Sequence, residues 1–169
     1  MKESIILIGM PGCGKSTLGI LLAKELGMDF LDTDVAIQVR TGKTLQQTVD
    51  QSGYLKLRQI EEQILLTENI DSKVVSTGGS AIYSASGMKR LKASGCVIFL
   101  DVPLNEICQR ITNYATRGIA CVPGQSFEAL YYERHPLYVQ QADYRIDCSG
   151  KDLEQALAEV LRYRLSCKP

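Results

Sequence analysis

What this chain lacks narrows its chemistry first. None of its six cysteines, at positions 13, 96, 108, 121, 148 and 167, forms a CxxC pair, and the single histidine, His135, has no second histidine or cysteine near it, so a structural zinc has no ligand set. Neither sign of charge is in excess. Nineteen basic residues offset nineteen acidic ones, leaving no bulk positive field to recruit nucleic acid or an anionic membrane. Long apolar runs are missing too: the short isoleucine-rich stretch after Ser4 falls well below a signal-peptide core or a membrane span. No repeat or low-complexity tract interrupts the chain. These absences predict a cytoplasmic protein whose cysteines stay reduced and act as small hydrophobes, and a monomer that needs neither membrane nor nucleic acid as partner.

What is present fits one domain over 1–169. At this length roughly two-thirds of the unfolded surface can be buried without metal or disulfide staples. Short apolar runs alternate with helical patterns. Ser4 to Ile8 reads as a strand, and from Lys15 the residues Leu18, Leu21, Leu22 and Leu26 recur at helical spacing up to Gly27. Further strands are expected at Asp29–Leu31, Lys73–Thr77, Cys96–Leu100 and Tyr144–Cys148. Helices are expected from the Thr44 cap, along the face Leu57, Ile60, Ile64 and Leu65, over Ser86–Ala93, after Pro103, after the Ser126 cap, and from about Asp152. Such alternation predicts an α/β fold with helices on both faces of a mostly parallel sheet, and ligands at the carboxyl ends of the strands.

Gly9-Met10-Pro11-Gly12-Cys13-Gly14-Lys15-Ser16 satisfies GxxxxGK[ST] between a strand and a helix. Glycines let successive amides converge on phosphate oxygens, Lys15 adds a compact positive charge, and Ser16 offers an oxygen to magnesium. Nucleotide phosphate is the anion this loop is built for. A second Gly42-Lys43-Thr44 lacks the upstream glycine and reads as a helix boundary. The amide of Cys13 can face phosphate while its side chain points elsewhere. Asp32 and Asp34 flank Thr33 after the second strand; if that segment is extended, both carboxylates reach one rim, one for magnesium and one for an incoming hydroxyl, with helix-start capping as the plainer alternative. Arg58, Arg117 and Arg134 become interesting jointly, since a phosphoryl-transfer site with an acidic acceptor needs positive groups at both ends.

Taken together, Gly9 to Thr17, Asp32-Thr33-Asp34, Arg58, Ser76-Thr77-Gly78-Gly79, the Arg110 to Arg117 stretch, Arg134-His135-Pro136-Leu137-Tyr138 and Ala142-Asp143 resemble shikimate kinases along nearly the whole chain. The resemblance implies a three-layer α/β/α P-loop kinase fold with a five-stranded parallel sheet of order 2-3-1-4-5, a substrate-binding region at about 33–62 and a lid at about 113–125. It implies magnesium-dependent transfer of the ATP γ-phosphoryl to shikimate. Gly12, Cys13, Gly14, Lys15, Ser16, Thr17, Arg110 and Arg117 would serve the nucleotide, and Ser16 and Asp32 the Mg2+. Asp34, Arg58, Gly78, Gly79, Ser80, Arg117 and Arg134 would serve the acid, with Lys15, Asp34 and Arg117 at the reacting atoms. Tyr138 would support the Arg134 region by packing, and His135 would be exposed or one layer removed. Two departures bear on the acceptor. The family commonly has a third glycine where Ser80 stands, and Pro-Leu-Leu where this chain has Gly118-Ile119-Ala120. They leave open a kinase for another small hydroxylated carboxylic or amino acid; a P-loop nucleotide-binding switch without kinase activity is the alternative from another class.

Overall fold

In the computed structural model, residues 4–111 and 114–166 are described. Five strands, β1 (Ser4–Ile8), β2 (Asp29–Asp32), β3 (Lys73–Ser76), β4 (Gly95–Asp101) and β5 (Tyr144–Asp147), pair in the order β2-β3-β1-β4-β5. Every pairing is parallel, with Ile6 registered between Val75 and Val97 at the centre. A parallel sheet needs crossovers, and the crossovers here are helices that cover both faces. That is why β1 is buried at all five positions and β4 at six of its seven, while the edge strand β2 has no fully buried residue. The fold is the three-layer P-loop kinase arrangement, in the strand order the resemblance implied.

Eight helices complete the described chain: α1 (Lys15–Leu26), α2 (Thr33–Thr41), α3 (Leu45–Ser52), α4 (Tyr54–Thr67), α5 (Ala85–Ser94), α6 (Leu104–Arg110), α7 (Phe127–Gln141) and α8 (Leu153–Ser166). The second Gly-Lys-Thr is the boundary it resembled: Gly42 closes α2 in the left-handed region, and Thr44 opens α3 with a reciprocal capping box to Gln47. Residues 1–3, Asn113 at the start of the expected lid, and Cys167 lie outside the described residues.

Two expectations are corrected. Asp32-Thr33-Asp34 is not extended, because α2 begins at Thr33 and Asp32 is its N-cap, its Oδ1 accepting from the amides of Asp34 at 2.9 Å and Val35 at 3.3 Å. A carboxylate placed at the last strand residue satisfies the first orphan amides and favours a helix over a longer strand. On α4 the buried stripe is Leu57, Glu61, Ile64 and Leu65; Glu61 takes the place expected for Ile60, which is only partly buried.

This arrangement brings the ends of β1, β2 and β3 onto one rim, from which the glycine loop, α2 and the Thr77–Ser80 loop depart. Helix α1 can lie close over that rim because Gly19 has no side chain: a Cβ there would come within 2.6 Å of Phe30 and 3.4 Å of Leu7. Gly19→Val is therefore expected to lower unfolding stability by about 1–3 kcal/mol, the usual cost of overpacking. Urea unfolding would check it, and an unchanged midpoint would show that α1 can shift freely on the sheet.

Candidate active site

The phosphate end is a helix terminus left open. Gly14 is the N-cap of α1, no side chain caps it and no acidic residue occupies the first turn, so the orphan amides there await an anion. Lys15 is buried, with its ammonium donating to the carbonyls of Gly9 at 2.8 Å and Met10 at 2.9 Å. Gly12, Gly14, Lys15, Ser16 and Thr17 line one side of a cavity of about 260 Å³, and Arg110, paired with Glu106 at 3.3 Å, lies on its edge. Cys13 departs from expectation. Its amide donates to the Met10 carbonyl at 3.2 Å and its side chain is packed into the core, so it shapes the loop without lining the cavity.

Beside that terminus, Ser16 Oγ donates to Asp32 Oδ2 at 2.5 Å and lies 3.3 Å from Ser76 Oγ. Asp32 thus uses one oxygen as a helix cap and turns the other to Ser16. A serine hydroxyl and a carboxylate side by side, next to an open phosphate site, are the hard oxygen donors that suit Mg2+ shared with a nucleotide.

The acceptor end is built by close approach around two glycines. The Gly78 amide donates to Thr33 Oγ1 at 2.8 Å, fixing the loop after β3 to the start of α2. A Cβ on Gly78 would collide with Glu61 Oε1 and, at 2.7 Å, with Asp34 Oδ1; one on Gly79 would meet Arg134 Nη1 at 2.8 Å. Only glycine lets the loop pass between these charged groups. Tyr138 does more than pack, since its hydroxyl donates to the Gly79 carbonyl at 2.6 Å. Burial, reinforced by the neighbouring Asp32 charge, holds the Asp34 carboxyl above its ordinary range, while Lys15 and Arg117 pull the other way.

Glu61 is the residue the sequence reading missed. It is buried, lines the cavity, accepts a hydrogen bond from Ser80 Oγ on one oxygen, and has no hydrogen-bond partner among the described residues for the other. Burial, then the charge of Asp34, push its carboxyl up to about 7. The signal was available: a glutamate at i+4 from Leu57 and i−4 from Leu65 sits on the apolar stripe of α4. Ser80, read as a change in the acceptor pocket, spends its hydroxyl on this carboxyl.

Asp34, Gly78, Gly79, Ser80, Arg117 and Arg134 all line the same cavity as Lys15. Arg58 does not. It stands just behind the wall, donating from Nη2 to the Ala120 carbonyl at 3.1 Å, and that same oxygen accepts from Arg134 Nη2 at 2.7 Å. After a short 3-10 turn at Tyr114–Thr116, the chain of the expected lid passes over α3, where Gly118 has a φ of 68° and its amide donates to Gln46 Oε1 at 2.7 Å. Proline can supply neither that dihedral nor that donor, and any side chain would run into the Leu45–Gln46 backbone. His135 lies elsewhere, 3.1 Å from Asp101, which also pairs with Arg145 at 2.6 Å.

A family model described as shikimate kinase matches residues 11–164. The chain belongs to the shikimate kinase family. It is 35% identical over 164 residues to the shikimate kinase of Clostridium botulinum (strain Eklund 17B / Type B), covering 95% of this chain and 96% of that one. It is 36% identical over 174 residues to that of Mycobacterium avium (strain 104), covering 100% and 95%. Among solved structures, one described as shikimate kinase from Acinetobacter baumannii in complex with shikimate superposes with a TM-score of 0.88 at 33% identity, over 98% of this chain and 94% of the other. The protein is an ATP- and magnesium-dependent shikimate kinase, phosphorylating a hydroxyl of shikimate to give shikimate 3-phosphate and ADP. Neither a nucleotide switch nor a different acceptor is needed to account for Ser80 or Gly118.

Because Glu61 holds its proton more tightly in the folded protein than in the unfolded chain, folding binds a proton around neutral pH. Its stabilisation is full below the ordinary glutamate value near 4.5 and is lost as pH rises through about 7. Over that window the loss is on the order of 3 kcal/mol. In this shikimate kinase, Glu61→Gln is expected to flatten the fall in unfolding free energy between pH 4.5 and 7.5, measured by urea titration at each pH; an equal slope in both proteins would contradict the assignment.

Proposed function

We propose that Asp34 is the group that orients the shikimate hydroxyl and takes its proton, and that the acid's carboxylate is held by Arg58 and Arg134 while the nucleotide phosphates lie on the amides and ammonium of the glycine loop. The observation that carries this reading is that Asp34 and Lys15 line one cavity, so a hydroxyl and a terminal phosphoryl group can meet there. Residues 33–62 form the acceptor wall, and the segment from about 113 to 125 acts as the lid. Gly78 and Gly79 let the acceptor approach, Ser80 holds Glu61 in the wall, and Arg110 borders the nucleotide.

The nucleophile belongs to the substrate. Asp34 accepts its proton as the oxygen–phosphorus bond forms, and a carboxylate whose affinity for protons is raised by burial is the better acceptor for it. Lys15, the α1 amides and Arg117 stabilise the negative charge that shifts from the attacked phosphoryl to the ADP oxygen; their dipoles and charges are already in place. Ser16 and Asp32 would hold Mg2+, which when bound neutralises phosphate charge. Cys13 shapes the loop from behind. The five free cysteines among the described residues suit the cytoplasm.

Asp34→Asn tests the reading. The substitution is close to isosteric and removes the base, so kcat for shikimate phosphorylation is expected to fall at least about 100-fold, the lower range for general-base loss. Nucleotide affinity, measured by calorimetry, should change only a few-fold. A variant that keeps kcat within about fivefold of the parent would place the proton acceptor elsewhere.

A further inference from the structure

The two arginines at the acceptor end owe their positions to a side chain that does not line the cavity. Tyr83 closes the 3-10 turn Ala81–Tyr83 that follows the Thr77–Ser80 loop. Its ring lies against the Arg58 guanidinium, with Cζ 3.7 Å from the ring centroid; the Tyr54 ring is also near, at 5.1 Å. Its hydroxyl accepts from Arg134 Nε at 3.4 Å and donates to the Glu133 carboxylate, which also accepts from Gln125 Nε2 at 2.6 Å. Arg58 comes from α4 and Arg134 from α7, yet their Nη2 atoms converge on one oxygen, that of Ala120.

Convergence of two cations is not something they achieve alone. Like charges repel, and an arginine side chain has about 2 kcal/mol of rotamer entropy to lose when it is fixed. The Arg58 Nε has no hydrogen-bond partner among the described residues, so hydrogen bonding alone leaves that guanidinium underdetermined; an aromatic face supplies what is missing, a flat and electron-rich surface that sets the plane of the cation. The Ala120 carbonyl shows that both donors can serve one oxygen atom, and a carboxylate is the stronger acceptor for them.

We propose that Tyr83 is a positioning residue for recognition of the acid: its ring fixes the plane of Arg58 and its hydroxyl steadies Arg134, so that the two guanidinium groups present their donors together to the substrate carboxylate. This rests on the reading of Arg58 and Arg134 as the carboxylate clamp. It assigns to Tyr83 a part in ground-state binding of the acid, with no part in nucleotide binding or in phosphoryl transfer. A residue that only filled space on the 3-10 turn would be replaceable by any apolar side chain of similar volume. A stacking residue would not be.

Steady-state kinetics with shikimate and ATP varied separately, on Tyr83→Phe, Tyr83→Leu, Tyr83→Ala and Arg58→Ala, separate these possibilities, with thermal unfolding run on each variant. Tyr83→Leu and Tyr83→Ala are expected to raise the shikimate KM about tenfold, equivalent to about 1.4 kcal/mol, while Tyr83→Phe, which keeps the ring, raises it less than about threefold. The ATP KM and kcat should move less than the shikimate KM in every Tyr83 variant. Equal shikimate KM values for Tyr83→Leu and Tyr83→Phe would overturn the inference, as would a parallel rise in the ATP KM. If Tyr83→Ala does not fold, the Leu and Phe pair decides. A raised shikimate KM in Arg58→Ala beside an unmoved one in Tyr83→Leu sinks the role of Tyr83 alone; an unmoved value in Arg58→Ala sinks the clamp itself, and this proposal with it.

Discussion

One hydrogen bond, from Ser16 Oγ to Asp32 Oδ2, joins two helix starts that are treated oppositely. Helix α1 begins without a cap, so its amides remain available to an anion, whereas α2 begins under the other oxygen of Asp32, so its amides are spent. The difference separates a terminus whose amides can take an anion from one whose amides are already used, and Asp34, the proposed proton acceptor, stands one step inside the latter. Both starts are held at the carboxyl rim of the same sheet, two strands apart, by the pairing of β2, β3 and β1. Their separation is therefore a property of the sheet and owes little to loop flexibility.

That geometry concentrates charge around one cavity. Lys15, Asp34, Glu61 and Arg134 border one cavity, three of them buried outright. Charges so placed are costly unless paired or neutralised, and the structure does both. Lys15 and Arg134 are satisfied by backbone carbonyls, and Glu61 is pushed toward its neutral form by burial and by Asp34. A Glu61 shifted toward its neutral form lowers the negative charge beside Asp34. The same crowding explains the glycines: between Asp34, Glu61 and Arg134 there is room for backbone and nothing larger.

Much of this was legible in the sequence, for reasons that differ by residue. The glycine loop could be read because its function resides in the backbone and its spacing is rigid. The strand order followed from the resemblance to shikimate kinases, since nothing in hydrophobic period distinguishes 2-3-1-4-5 from other orders. Asp32 and Asp34 were recognised, but an extended Asp32-Thr33-Asp34 was weighed ahead of helix-start capping, where the carboxylate does start a helix; of the apolar residues that follow, Val35 and Val39 are 54% and 79% exposed and Ile37 is buried. Glu61 was hidden by the opposite habit, the assumption that a helix's core face is apolar. Tyr83 had no local signal at all, because its role depends on α4 and α7 meeting across the end of β3.

The departures from the family pattern become intelligible as parts of one another. Ser80 is larger than glycine, but its hydroxyl is absorbed by Glu61, so the added bulk lies in the wall. Gly118 permits a left-handed turn that lays the following residues against α3, and this brings the Ala120 carbonyl within reach of both Arg58 and Arg134. Both cations therefore hold the expected lid, and Arg134 also lines the cavity. If Arg58 and Arg134 are the proposed carboxylate clamp, an arriving carboxylate competes with, or joins, the Ala120 backbone oxygen that both already hold. The proposed clamp and the placement of the 118–120 segment thus share one electrostatic arrangement, made possible by the absence of a side chain at position 118.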